Sequence, residues 1–253
     1  MPRVSLILFT LRDQCKEDLP GTLAMVREVG YEHVQVSGVG RYEPSSMAAS
    51  LRDAGLGASS CHVSMEELDT EMPWVLESCD AIGMNRVVMP FTKARSRAEC
   101  AELVEKLEHH AATLKHHNIE LGYHNHDFEF AAFDDGEDGP DNLWEMVAAS
   151  SLFLEPDLGW VWYAERDPQA MLNDLAAAGR CPLVHLKDFE DRSPDRTFCP
   201  VGDGGVGFGD IVASPAAKQV EELIVEQDHL RGMGPREAVE RSLRTVRAAL
   251  GTT

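Results

Sequence analysis

The stretch GYEHVQVS (30–37) decides the fold, because it recurs in outline as GLGASSCHV (55–63) and GMNRVVMP (83–90). In each, a glycine closes a helical stretch, a short connection follows, and an apolar or β-branched run begins. Glycine suits the first of these places, because the residue just past a helix often takes a left-handed conformation that costs other residues more. The three glycines stand 25 and 28 residues apart, about the size of one strand-plus-helix unit.

Reading outward in both directions gives eight candidate strands, at 4–9, 33–37, 57–62, 86–90, 119–125, 152–157, 182–187 and 222–226. Most are apolar runs without clean alternation, as expected of parallel strands covered on both faces. Amphipathic helices lie between them. One opens with Ser96 and Glu99 in capping-box spacing and places Leu103, Leu107, Ala111 and Leu114 on one face. Another follows Pro235 and carries Val239, Leu243, Val246 and Leu250. Strict β-α alternation repeated eight times predicts a closed α/β (β/α)8 TIM barrel forming a single domain over residues 1–253. The segments 131–142 and 189–210, rich in Gly, Asp and Pro, read as long loops over the barrel mouth. No GxGxxG or P-loop follows the first strand, which removes the usual nucleotide-binding alternatives.

Composition narrows the partners. The chain has 253 residues with 23 Lys plus Arg against 43 Asp plus Glu, a formal net charge of -20. A field of that sign repels phosphate backbones and anionic membranes, so neither nucleic acid nor membrane is expected as a partner. A small-molecule sugar or polyol fits better, and assembly into a homo-oligomer stays open. The six cysteines form no CxxC pair and read as free thiols in a reducing compartment. The apolar run that opens the sequence is too short for a signal or membrane-spanning segment, so the expected location is cytoplasmic.

In such a barrel the functional groups stand where strands end and the following loops begin. The third predicted strand ends at His62, the fifth at His124-Asn125-His126 with Glu129 beyond, and the sixth at Asp157. The seventh ends at His185 with Lys187 and Asp188, and the eighth at Glu226 with Asp228 and His229. Four other histidines, His109, His110, His116 and His117, read as the solvated face of one helix, and His33 at a strand start reads as structural. Carboxylates and imidazoles on four strands converging on one mouth would cost several kcal/mol unpaired. A divalent cation relieves that cost.

The ordered segments LGYHNHDFEF (121–130), LEPDLGWV (154–161), PLVHLKD (182–188), VGDGGVGFGDI (201–211) and LIVEQD (223–228) resemble the xylose-isomerase-like sugar isomerase/epimerase family. Within it they are most similar to the branch of inosose dehydratases and keto-sugar lyases. The resemblance implies one divalent ion held by a carboxylate after strand five, an Asp after six, a His after seven and a Glu after eight. Here these are Glu129, Asp157, His185 and Glu226. Many epimerases of the family carry a glutamate about where His124 stands. If Glu129 does not swing back to the ion, His124 or His126 is the fifth-strand ligand.

That departure bears on the reaction the resemblance implies. Inversion through an enediolate uses two acid/base groups, one on each face, and the family's metal-bound glutamates serve. A histidine in place of one suits abstraction of an α-proton with protonation of a leaving oxygen. The expected activity is a dehydratase, lyase or isomerase acting on a keto sugar or keto-inositol. Glu226 and His124 or His126 transfer protons, and Lys187 steadies an enolate oxygen or pairs with a carboxylate. Trp160 and Trp162 either stack on a sugar ring or fill the core; Asp188, Asp228 and His229 orient the ligands. One histidine with three carboxylates favours Mn, Co or Mg over Zn. Two other readings stand beside this one: a two-glutamate epimerase and a sugar-binding barrel without catalysis. A DNA-repair endonuclease of the same superfamily is argued against by the charge and by the single ligand set.

Overall fold

A computed structural model describes residues 1–37, 42–136 and 139–252. Among the described residues nine strands form one sheet: β1 (Arg3–Ile7), β2 (His33–Val36), β3 (Gly57–His62), β4 (Arg86–Met89), β5 (Glu120–His124), β6 (Phe153–Glu155), β7 (Leu183–Phe189), β8 (Phe198–Cys199) and β9 (Glu222–Glu226). Their spatial order is β6-β5-β4-β3-β2-β1-β9-β7-β8. A parallel bridge between Asp157 and His185 joins the β6 side to β7 and closes the ring. Eight parallel strands therefore make the barrel, while β8 pairs antiparallel with the end of β7.

The predicted strands match these to within two residues at each end. Gly30, Gly55 and Gly83 close their helices at φ of 118°, 70° and 82°, the left-handed conformation expected of them. Ser96 and Glu99 form a full capping box on the helix Arg97–Lys115, whose Leu103, Leu107 and Leu114 are buried. The helix Pro235–Leu250 buries Val239, Leu243, Val246 and Leu250, as its spacing predicts.

The loop predicted at 189–210 needs correction. β7 continues to Phe189, the chain returns as β8, and a helix opens at Phe208. The cause is Asp188, whose carboxylate accepts from the amides of Phe189, Gly202, Gly204 and Val206. Of the other predicted loop, residues 137 and 138 lie outside the described residues.

The core is layered as parallel strands require. Ile7, Val88, Leu183 and Ile224 fill the barrel with Phe9 and Phe153 beside them. Two larger clusters lie outside the barrel wall, between strands and helices. Strand alternation thus sends every second side chain inward, and at the C-terminal ends those inward side chains are polar. No helix among the described residues is long and apolar enough to cross a membrane.

Candidate metal centre

Side chains from β2, β3, β5, β6, β7 and β9 and from the residues just past them meet inside the mouth. Asp157 shows how local sequence builds the site. It caps the helix Leu158–Tyr163, and its Oδ1 accepts from the amides of Gly159 and Trp160 at 2.9 and 3.0 Å. Asn125 Oδ1 accepts from the Asp157 amide at 3.0 Å. With Oδ1 thus committed, Oδ2 is left facing the mouth without an aligned hydrogen bond. Gly159 allows this helix to sit so close, since a Cβ there would lie 1.8 Å from the Lys187 carbonyl oxygen.

The remaining groups converge on that oxygen. His185 Nδ1 lies 2.7 Å from Glu226 Oε2. His124 Nε2 lies 3.9 Å from Asp157 Oδ2. One donor atom each from His124, Asp157, His185 and Glu226 falls within 4.8 Å of the others, and all four side chains are buried. Lys187 Nζ lies 3.3 Å from Asp157 Oδ2, 3.2 Å from Glu226 Oε2 and 3.0 Å from Asp228 Oδ1.

A deeper set lies directly below. Glu155 Oε2 accepts from His62 Nε2 at 2.7 Å and lies 3.2 Å from both His124 Nδ1 and His185 Nε2. Its Oε1 accepts from Gln35 Nε2 at 2.6 Å. His62, His124, Glu155 and His185 also satisfy the spacing of a metal site.

Electrostatics differ between the groups. Burial opposes charge on His185, but Glu155 and Glu226 outweigh it and raise its pKa to about 10. Burial also opposes the Glu226 carboxylate, yet Lys187 and His185 keep it well below the usual range. Burial raises Asp157 to about 7 against the pull of Lys187. His124 is pushed down to about 3 by burial and by His185, and His126 to about 2 by burial and by His124. Both histidines are therefore neutral imidazoles near pH 7, the form that ligates metals. The carboxylates of Glu155, Asp157, Glu226 and Asp228 crowd into one mouth with Lys187 as the one lysine among them, an excess of negative charge that a divalent cation offsets. The donor set and the uncommitted Asp157 oxygen fit such an ion.

The structure brings Asp157, His185, Glu226, His124 and Lys187 together, and it does not bring Glu129 to them. The Glu129 carboxylate is buried behind β5, accepting from the Tyr123 hydroxyl at 3.0 Å and the His126 amide at 2.7 Å. Tyr123 packs in the cluster outside the barrel, so Glu129 is tied to the helix side of the strand. His126 is half-buried at the rim, its ring 5.3 Å from that of His124 and 5.4 Å from Trp160. Trp160 packs on Phe189 and Phe198 with Lys187 Nζ 5.2 Å from its ring centre, so core packing accounts for it. Trp162 lies over Phe189. Asp188 holds the glycine-rich loop, whose amides are thereby used; Asp228 pairs with Lys187, and His229 is exposed beside Arg12. Glu155 and Gln35 escaped the sequence reading. The signal for Glu155 was its place two residues before Asp157, on the same side of an extended chain.

A cavity of about 390 Å³ borders His62, but Cys61, Val75, Ser78 and Ile82 also line it, placing it mainly outside the barrel wall rather than at the donor cluster.

A closed parallel barrel with convergent donors at its strand ends defines a TIM barrel with a candidate metal centre. The chain belongs to the xylose isomerase-like TIM barrel family, whose model matches residues 23–248. No curated protein matches the sequence. Among solved structures, a sugar phosphate isomerase/epimerase from Parabacteroides distasonis is similar with a TM-score of 0.78 at 19% identity, over 98% of this chain and 93% of that one. A xylose isomerase-like TIM barrel protein from Mycobacterium smegmatis in complex with magnesium gives 0.67 at 18% identity, over 98% and 97%. A D-allulose 3-epimerase from Methylomonas in complex with D-allulose gives 0.70 at 15% identity, over 98% and 97%. At these identities the likeness establishes the fold.

Proposed function

We propose that the chain is a divalent-metal-dependent enzyme that abstracts a proton next to the carbonyl of a keto sugar or keto-inositol, as a dehydratase, lyase or isomerase. The observation that carries this reading is the convergence of His124, Asp157, His185 and Glu226 within 4.8 Å of one another. These four are the proposed ligands, with His124 in the place first expected of Glu129. Two nitrogens and two oxygens suit a borderline ion such as Co, still admit Mn through the carboxylates, and bring Zn closer than a three-carboxylate set would. A bound ion supplies Lewis acidity at the substrate carbonyl, worth several kcal/mol of charge stabilisation. The sugar-bound and magnesium-bound structures among the similar folds support the substrate class and the metal.

The chain's own residues supply the rest. Glu226, kept ionised by Lys187 and His185, takes the α-proton. Lys187, kept charged by three carboxylates, donates a hydrogen bond to the oxygen on which negative charge develops. His126 at the rim, held neutral by burial, takes a proton from solvent and passes it to the leaving oxygen, while His124 is occupied as a ligand.

The placement of Glu129 favours elimination over two-base inversion, because it leaves Glu226 as the one glutamate of the pair at the mouth. The test is turnover of keto sugars and keto-inositols by manganese-loaded protein in heavy water. Solvent exchange at the α-carbon with loss of water is expected, and His124→Ala or His126→Ala should slow turnover by about two to four orders of magnitude. Clean inversion with both variants near full activity would overturn the reading in favour of an epimerase. Sugar binding that needs no metal and exchanges no proton would point to a non-catalytic barrel.

A further inference from the structure

We infer that Glu155 and Gln35 act as positioning residues that set which ring nitrogens of His185 and His124 face the ion, an inference that rests on the metal centre proposed above. The argument is one of hydrogen-bond direction. Gln35 lies 2.6 Å from Glu155 Oε1 through Nε2, which also donates to Ser60 Oγ at 2.8 Å. The reversed amide would set two acceptor oxygens 2.6 Å apart, so Gln35 must present its NH2 to Glu155. Its carbonyl oxygen then faces His185 Nε2 at 2.9 Å and can only accept. His185 Nε2 must therefore carry a proton, so the proton that a bound cation displaces is the one on Nδ1, which leaves the lone pair there. That nitrogen is the one beside Glu226.

His124 follows the same logic from the other side. Its Nδ1 lies 3.2 Å from Glu155 Oε2 and its Nε2 faces Asp157. No aligned hydrogen bond forms at Nδ1, but a proton there is drawn to the nearby carboxylate by charge, and the lone pair on Nε2 then points to the mouth. The two donor sets share His124 and His185 but use opposite ring nitrogens, so neutral imidazoles can serve only one of them. Glu155 is already ringed by N–H donors from Gln35 and His62, whereas Asp157 Oδ2 has no aligned partner. The ion thus belongs to the outer set, and Glu155 behaves as the anion behind the histidines. Such partners typically contribute about 10–100-fold in metal affinity.

The test combines nitrogen-15 spectra of histidine-labelled protein with zinc affinity by chelator competition. In zinc-loaded protein, the expected metal-bound nitrogens are Nδ1 of His185 and Nε2 of His124. Glu155→Gln should lower affinity by about 10–100-fold at unchanged stoichiometry, and Asp157→Asn by more. If Glu155→Gln abolishes binding while Asp157→Asn and Glu226→Gln retain it, Glu155 is itself a ligand and the inference fails. The wild-type spectrum decides even if a variant does not fold: protonated Nε2 on His124 overturns the inference. Failure of the wild type to bind zinc or manganese would sink the metal centre instead. The metal-free spectrum of His124, protonated on Nδ1 or on Nε2, would then still support or refute the positioning role.

Discussion

Lys187 is the residue on which the metal-free site depends. Its ammonium is buried against Asp157, Glu226 and Asp228, at distances between 3.0 and 3.3 Å. Removing one partner of such a cluster leaves uncompensated charge, at a cost of about 3–5 kcal/mol. Lys187→Met should therefore destabilise metal-free protein by that amount, and manganese should recover more stability in the variant than in the wild type. Thermal unfolding with and without manganese checks this; equal metal-induced shifts would contradict it. Glu129 gives a pH signature of its own. Burial raises its pKa from 4.5 to about 8, so its contribution is fully present below about 4.5 and is lost as pH rises through about 8. Glu129→Gln mimics the protonated acid against Tyr123 and the His126 amide, and should remove a loss on the order of a few kcal/mol between pH 5 and 8. Urea unfolding at both pH values measures it, and an unchanged slope in the variant would show that the loss arises elsewhere.

At the scale of the element, the short helix Leu158–Tyr163 connects local sequence to the site. Its cap is a proposed ligand, and its second residue is the glycine that lets it lie against β7. Gly159→Ala puts a methyl into the Lys187 carbonyl, so the helix must move and carry the Asp157 carboxylate with it. The expected result is a loss of roughly 2–4 kcal/mol together with weaker metal binding. Ser96→Ala supplies the contrast. It removes the capping-box hydroxyl of the helix Arg97–Lys115 at a cost of about 1 kcal/mol, and metal affinity should not change. Chelator competition on the two variants separates these outcomes.

The whole molecule carries a formal charge of -20, and self-repulsion of that size weakens the compact state. Raising sodium chloride from about 10 mM to about 200 mM shortens the screening length several-fold. The melting temperature should rise by a few degrees, and a fall on adding salt would indicate that exposed ion pairs outweigh the repulsion. The amino-acid sequence by itself determined the barrel, because parallel strands buried on both faces write themselves as apolar runs punctuated by helix-closing glycines such as Gly30, Gly55 and Gly83. It also determined that Asp157, His185 and Glu226 stand at one mouth, since residues at the C-terminal ends of barrel strands must meet there. Only the tertiary structure decided between the two glutamates near β5 and β6. Glu129 is captured by Tyr123 on the outside of the wall, whereas Glu155 points inward to Gln35, His62, His124 and His185. That choice depends on which side of the strand each carboxylate finds its donors, and those donors come from residues as far as 120 positions away in the chain.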